Sequence, residues 1–264
     1  MSKGVVLFAF NTESYDYVKM AKYCASRINY FLNLPVTLIT NDTLADKQIF
    51  DQIINVEANI KNKKEGKIWI NKDRYKAFEL SPYDETILLD VDYVVNSDKL
   101  LKLFTILKDI CVHNHTEFVM QPNLPQEFLS PYSEQIAWAT VIAFKKTNKA
   151  KQVFECIKMV QNNYQHYTNV YNFVAGTYRN DYALGIALRI VNGHLNDKHD
   201  FIPWSLLHVG KNTSIYPVNN ELLCSEFISL FDNWKNGKIK KEYAILKNID
   251  FHMINKENFL EIVK

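Results

Sequence analysis

Apolar and polar positions fall into two rhythms along this chain. Residues 4–10 (Gly-Val-Val-Leu-Phe-Ala-Phe) form an unbroken apolar run, the pattern of a strand buried on both faces. Val18, Ala21, Ala25, Ile28 and Leu32 then recur at spacings of three and four, which predicts an amphipathic helix. Asn11, Thr12 and Ser14 offer N-cap chemistry before it, and Pro35 stops it. Val36–Thr40 reads as a second strand ending at Asn41-Asp42, so the chain opens with a β–α–β unit. A short strand follows at residues 53–56, then an exposed loop at 61–67. Residues 69–80 fit a helix that carries Arg74 and Lys76 and halts before Pro82. Thr86-Ile87-Leu88-Leu89 reads as a buried strand running straight into Asp90-Val91-Asp92. Tyr93-Val94-Val95 continues extended, and Ser97 caps a helix through Leu107.

The second half is more mixed. Residues 118–121 and 138–145 read as strands, the latter followed by a helix from about 148 to 164. Asn180-Asp181 has the composition of a helix cap, with Leu184, Ile186, Ala187 and Ile190 as the apolar face and Gly193 as the stop. The tail breaks into strand-like pieces around 215–216, 243–246 and 251–252. There is no internal repeat and no low-complexity linker, so the pattern predicts one α/β domain over residues 1–264 with a C-terminal elaboration.

Composition narrows this picture without redirecting it. A chain of 264 residues that is 47% hydrophobic buries enough surface to fold without covalent staples. Cys24, Cys111, Cys156 and Cys224 are far apart and show no metal or redox spacing, which points to a reducing, cytoplasmic setting. The first apolar run is too short for a secretory signal, and no stretch reaches the length of a membrane span, so a soluble protein is expected. Net charge is +2, and lysines cluster at 61–67, 145–151 and 235–241. Such runs are solvated faces in most proteins, or else a basic rim around an anionic acceptor.

The candidate chemistry lies at Asp90 and Asp92. Ligands of open parallel sheets bind beyond the carboxyl ends of the strands. Two carboxylates placed there repel unless a cation lies between them. A hard divalent ion would take their oxygens and leave positions open for diphosphate oxygens.

The run Arg74-Tyr75-Lys76-Ala77-Phe78-Glu79-Leu80 followed by Leu88-Leu89-Asp90-Val91-Asp92-Tyr93-Val94-Val95 resembles GT-A glycosyltransferases, especially glycosyltransferase family 8. The resemblance spans residues 4 to about 256, is dense over 74–95 and thin over 105–135. It implies a GT-A fold, with residues 1–110 as the nucleotide-binding half and 111–264 as the acceptor side and tail. Asp90 and Asp92 would bind Mn²⁺ or Mg²⁺. In the family His-x-Gly-x-x-Lys supplies a third metal ligand and a diphosphate contact. His252-Met253-Ile254-Asn255-Lys256 has both residue types, one residue closer together and without the glycine. Phe8, Ala9, Phe10 and Asn11 match the first nucleotide-binding element, and Asp42 and Val91 stand where such enzymes seat the nucleoside. Arg74 and Lys76 would add positive charge beside the leaving group. Residues 138–144 resemble the acceptor-side strand. An Asp-Gln pair contacts the donor sugar in the family; within Asn180-Asp181-Tyr182, Asp181 matches its first member and Tyr182 departs from the second. A sugar contact and a helix cap both remain open for Asp181.

The resemblance implies transfer of a sugar, with retention, from a nucleoside-diphosphate donor, UDP-linked, to an acceptor hydroxyl. The acceptor would be a saccharide. A hydroxymethylated DNA base is the alternative: the Asn, Lys and Ile richness is similar to GT-A enzymes of tailed phages, and Trp69, Trp138 and Trp204 could stack bases. A non-catalytic nucleotide-sugar-binding protein is a third reading. A phosphoryl-transfer enzyme is disfavoured by the lack of a P-loop or kinase signature.

Overall fold

The computed structural model describes residues 1–42, 48–57, 63–64, 67–68, 70–119, 128–131, 133, 135–173, 177–195, 197–219, 221–235 and 238–263. The first half runs β1 (Lys3–Ala9), α1 (Tyr17–Leu32), β2 (Val36–Thr40), β3 (Gln52–Asn55) and a small pair β4 (Lys63–Lys64) and β5 (Lys67–Ile68). A 3-10 segment, Ile70–Lys76, leads into α2 (Ala77–Leu80), β6 (Glu85–Leu89) and β7 (Tyr93–Val94). Then come α3 (Leu103–Ile106), β8 (Ile110–His113), β9 (Thr116–Phe118) and β10 (Trp138–Lys145). Helices α4 (Asn148–Asn162), α5 (Tyr164–Val170) and α6 (Asn180–Val191) precede β11 (Leu206–Val209) and β12 (Ser214–Pro217). The chain closes with β13 (Glu226–Lys235), β14 (Lys238–Lys247), β15 (Phe251–Met253) and α7 (Lys256–Ile262).

The fold is α/β, as expected: a mixed, mostly parallel sheet in the order β3-β2-β1-β6-β10-β8, flanked by helices. Of its six strands only β10 runs against the rest. The strands are buried on both faces because helices cover both. Helix α1 packs Val18, Ala21, Cys24 and Ile28 onto one face, and α4 and α6 pack Phe154, Ile157, Leu184 and Ala187 onto the other. Each fully buried aliphatic side chain contributes about 1.5–3 kcal/mol, so these two layers supply most of the cohesion. Beyond β1 the chain turns one way to β2 and β3 and the other way to β6. The carboxyl ends of β1 and β6 therefore flank a topological switch point, where open α/β sheets take their ligands.

A second sheet, β7-β15-β11-β9, is laid across this opening, and β12-β13-β14 forms the C-terminal elaboration. The segment after the Asp pair is clamped from both sides. Fully buried Arg27 of α1 donates to the Val95 carbonyl at 2.7 Å and to the side chain of Asn96. Asn96 in turn donates its backbone N–H to Asp250 at 2.6 Å and its side-chain amide to the Ser225 carbonyl at 2.8 Å. Among the described residues no helix is long and apolar enough to cross a membrane.

Several local expectations need correction. Asp16, rather than Asn11, Thr12 or Ser14, caps α1, its carboxylate accepting from Lys19 N–H at 2.8 Å; Asn11 reaches the same turn by accepting from Val18 N–H at 2.9 Å. The helix expected over 69–80 is a 3-10 segment joined to a single α-turn, with non-helical backbone at Asp73. The helix from Ser97 divides in the same manner, and the one from 148 stops at Asn162 before α5 begins. The strand expected over 118–121 is displaced to Thr116–Phe118, and its last two positions lie outside the described residues. The loop expected over 61–67 lies largely outside them as well; within it β4 pairs with β5.

Candidate active site

The buried strand β6 delivers its chain end into a tight turn, with Tyr93 N–H donating to the Asp90 carbonyl at 3.1 Å. Asp90 N–H is fixed to the Thr140 carbonyl of β10 at 2.9 Å. His252 arrives from the far end of the sequence because β15 pairs antiparallel with β7, opposing His252 to Tyr93, while Met253 N–H donates to the Asp92 carbonyl at 2.8 Å. Asp90, Asp92 and His252 each thereby offer a ligand atom, and these atoms lie within 4.8 Å of one another.

Cationic side chains already neutralise the pair. Lys256, the first residue of α7, places Nζ 2.7 Å from Asp92 Oδ2, and His252 Nε2 lies 3.3 Å from Asp92 Oδ1. Arg74, 4% exposed, pairs with Asp90. The two carboxyls respond in opposite directions. Burial lifts Asp90 above its ordinary range against the pull of Arg74, and the neighbouring Asp92 adds to the lift. Burial acts on Asp92 too, but Lys256 and His252 outweigh it and hold Asp92 far below the usual carboxylate range. The same partnership holds the Lys256 ammonium above its ordinary range in spite of burial.

Two carboxylate oxygens and an imidazole nitrogen converging at this distance fit a hard or borderline divalent ion such as Mn²⁺ or Mg²⁺. Beside them, at the ends of β1 and β2, Asn11 donates its side-chain amide to Asp42 at 3.2 Å. Phe8 and Phe10 are each 7% exposed with ring centroids 6.1 Å apart, Ala9 between them is fully buried, and Val91 is 4% exposed. Lys76 is not brought to the site. The 3-10 turn sets residues three apart over one another, so Lys76 Nζ bonds Asp73 at 2.9 Å while Arg74 points inward.

Asp181 lies one strand position away from the Asp90 anchor. Its Oδ1 accepts from Ala139 N–H at 2.9 Å and its Oδ2 pairs with Arg179 at 3.0 Å. Arg179, not Asp181, holds the cap position of α6, so the capping reading of Asp181 is corrected: its carboxylate braces β10. The Arg179 guanidinium lies 4.5 Å from the Tyr182 ring centroid. Asn180 lines a small cavity together with Arg74, Tyr75 and Ala139.

Residues that sequence reasoning passed over complete the surroundings. The ring of Tyr17, at the start of α1, lies 5.4 Å from Lys256 Nζ. Fully buried His208 on β11 meets His252, and buried His113 on β8 faces Trp204. Burial pushes the imidazoles of His113 and His208 down to about 3. A lone polar residue inside an apolar strand, as in Leu206-Leu207-His208-Val209, is the signal that could have flagged His208.

No family model matches the chain, and neither does any curated protein. Among solved structures the chain is similar to the glycosyltransferase GlyE of Streptococcus pneumoniae TIGR4, at 13% identity and a TM-score of 0.45 over 76% of this chain and 45% of that one. It thus spans less than half the length of GlyE. It is also similar to the galactosyltransferase LgtC in complex with donor and acceptor sugar analogs, at 14% identity and a TM-score of 0.45 over 70% of each chain. A third likeness is to mouse xyloside xylosyltransferase 1, at 10% identity and a TM-score of 0.46 over 76% of this chain and 84% of that one.

Proposed function

We propose that the chain is a metal-dependent GT-A glycosyltransferase that moves a sugar from a nucleoside-diphosphate donor, UDP-linked, to the hydroxyl of a saccharide. One observation carries this reading: Asp90, Asp92 and His252, 160 residues apart in sequence between Asp92 and His252, converge within 4.8 Å at the switch point of the sheet. Lys256 and the Asn11–Asp42 pair border that point. In this reading Asp90, Asp92 and His252 hold Mn²⁺ or Mg²⁺, which when bound offsets the charge developing on the departing diphosphate. Lys256 and Arg74, released from the carboxylates they neutralise, turn their charge toward the phosphate oxygens. Phe8, Ala9, Phe10, Asn11, Asp42 and Val91 seat the nucleoside. Asp181, with Asn180 and Tyr182 beside it, faces the donor sugar. Retention follows from same-face attack, with the acceptor held against the leaving diphosphate, so no strong general base is required. The whole chain acts as one domain, and its free, buried cysteines accord with work in the cytoplasm.

The saccharide is preferred to DNA because the lysines at 145–151 are committed elsewhere. Lys145 pairs with Glu85 at 3.0 Å, Lys149 with Asp200 at 2.8 Å and Lys151 with Glu155 at 3.8 Å, while Lys146 binds the Phe78 carbonyl. Trp138 and Trp204 pack against His208 and His113, and Trp69 lies outside the described residues.

The decisive experiment incubates the full chain with a panel of UDP-sugars, with and without Mn²⁺, and measures UDP release. Mn²⁺-dependent release from at least one donor, abolished by a chelator, is expected. Nucleotide binding without release from any donor would favour the non-catalytic reading. Acceptors are then separated by mass spectrometry of saccharides and of hydroxymethylated DNA, and labelling of the DNA alone would overturn the saccharide assignment.

A further inference from the structure

The parallel pairing of β11 with β15 sets His208 directly beside His252. Their Nδ1 atoms are 2.9 Å apart and the rings are inclined at 62°. His208 is fully buried, with the Trp138 ring centroid at 4.7 Å and that of Phe118 at 5.1 Å. Among the described residues its other nitrogen, Nε2, is buried without a hydrogen-bond partner. The only polar contact this imidazole makes among the described residues is therefore the one to His252.

A hydrogen bond between two Nδ1 atoms uses one hydrogen, so one ring donates and the other accepts. A second hydrogen on His208 would leave an uncompensated cation among aromatic rings, so His208 is neutral. When His252 carries a third hydrogen it is the cation that faces Asp92, and that hydrogen must leave before a metal binds. In the uncharged pair two arrangements remain, each with two ring hydrogens. If His208 donates, the hydrogen of His252 lies on Nε2 and faces Asp92 Oδ1 at 3.3 Å. If His252 donates, its Nε2 lone pair faces the two carboxylates and the hydrogen of His208 lies on its own Nε2. Only the second arrangement leaves a nitrogen free to bind a cation.

We propose that His208 is a positioning residue for the candidate metal ligand. It accepts the Nδ1 hydrogen of His252 and so presents His252 Nε2, unprotonated, to a divalent cation shared with Asp90 and Asp92. This rests on the metal reading given above. Partners that fix the ring and tautomer of a ligating histidine are commonly worth about 10–100-fold in metal affinity. Here the partner is a second imidazole rather than a carboxylate or carbonyl, and it is held by aromatic packing instead of by further hydrogen bonds.

The test measures Mn²⁺ binding to the full chain, without donor or turnover, from the electron paramagnetic resonance signal of free Mn²⁺. His208→Leu is expected to weaken binding about 10–100-fold. His208→Asn, whose side-chain oxygen can stand near the lost Nδ1, is expected to restore most of the affinity. Native affinity in His208→Leu overturns the proposal. Equal loss in both variants also overturns it, because packing of the ring would then matter and the hydrogen bond would not. A measurement without substitution guards against misfolding: long-range ¹H–¹⁵N spectra of the native chain saturated with Mg²⁺. These should show His252 protonated at Nδ1 and bare at Nε2, and the opposite tautomer sinks the idea. If the native chain binds no Mn²⁺, the metal reading falls and this inference with it. Native binding that His208→Leu leaves intact removes this inference alone.

Discussion

Two acidic sites are anchored at neighbouring residues of β10, one through the backbone N–H of Asp90 and one through the carboxylate of Asp181, and their carboxylates are held in opposite ways. At one, the carboxylates of Asp90 and Asp92 are paired with side chains: Arg74 with Asp90, and Lys256 and His252 with Asp92. At the other, Asp181 accepts from a backbone N–H, that of Ala139, which cannot move without disturbing the strand. The difference separates an exchangeable site from a fixed one. Cations that pair a carboxylate in the free protein can yield to a metal and then serve an incoming diphosphate. A carboxylate braced on the backbone keeps its position while ligands come and go.

Asp92→Asn should break this contrast most severely. It removes a candidate metal ligand and strands the ammonium that Asp92 pairs, so Mn²⁺-dependent UDP release should fall about 100- to 1,000-fold, the range seen when one charge-stabilising group is removed from an active site. Circular dichroism should show the fold retained. Undiminished release would sink the site assignment. Lys256→Met probes the exchange itself. Losing a charge-assisted hydrogen bond of about 1.5–3 kcal/mol frees Asp92 from its competitor, so Mn²⁺ alone should bind about tenfold more tightly. The donor KM should rise at the same time, because the cation that would meet the diphosphate is gone. Weaker Mn²⁺ binding in Lys256→Met would show that the lysine organises the carboxylate and does not compete for it.

The sequence discloses these two groups unequally. The strands β1, β2, β6 and β10 are legible because apolar runs with sharp polar ends have few other uses, and with them came the placing of Asn11, Asp90 and Asp92 at strand ends. His252 and Lys256 were found only through a family pattern, since nothing local in Phe251–Met253 announces that it will pair with Tyr93–Val94. Helix α7 escaped notice because seven residues hold barely two turns of apolar period. Of the hairpin β13–β14 only residues 243–246 were read as strand; β13 escaped because apolar side chains lie on both of its faces, Phe227 buried and Leu230 exposed, which hides the two-residue alternation. Asp181 misled for a chemical reason. Aspartate at a helix start reads as a cap, and only the approach of β10 gives it a backbone donor to hold instead.

Asp181 supplies the next and smaller effect. Asp181→Ala should leave Ala139 N–H without its partner and cost about 1–3 kcal/mol, measured as a lower denaturation midpoint. Asp181→Asn keeps an acceptor oxygen at the same place, so its stability should stay near native. If the carboxylate also serves the donor sugar, Asp181→Asn should still lose at least about tenfold in turnover, with nucleotide affinity unchanged; one such step corresponds to about 1.4 kcal/mol of transition-state stabilisation. Native turnover in the Asn variant would confine Asp181 to its structural role.

The last effect, absent at neutral pH and growing only in acid, concerns a histidine outside both groups. Burial lowers the His113 imidazole to about 3, with Lys99 nearby adding to the fall, against about 6.5 in an unfolded chain. Between those values the unfolded chain binds a proton that the folded chain refuses, so stability must decline as pH drops from about 6.5 toward 3, by up to about 1.4 kcal/mol per pH unit. Above pH 6.5 neither state is protonated there and the contribution is flat. His208, lowered in the same way, adds a slope of the same sign. Asp250 acts in reverse: burial raises it to about 6, so its contribution is present at low pH and is lost as pH rises from about 4 through 6. His113→Phe should therefore flatten the acid side of the stability profile while leaving Mn²⁺ binding at pH 7.5 unchanged. Denaturant titrations at pH 7.5, 6.5, 5.5 and 4.5 would read the slope directly. A His113→Phe profile as steep as that of the native chain would show that acid sensitivity does not reside in His113.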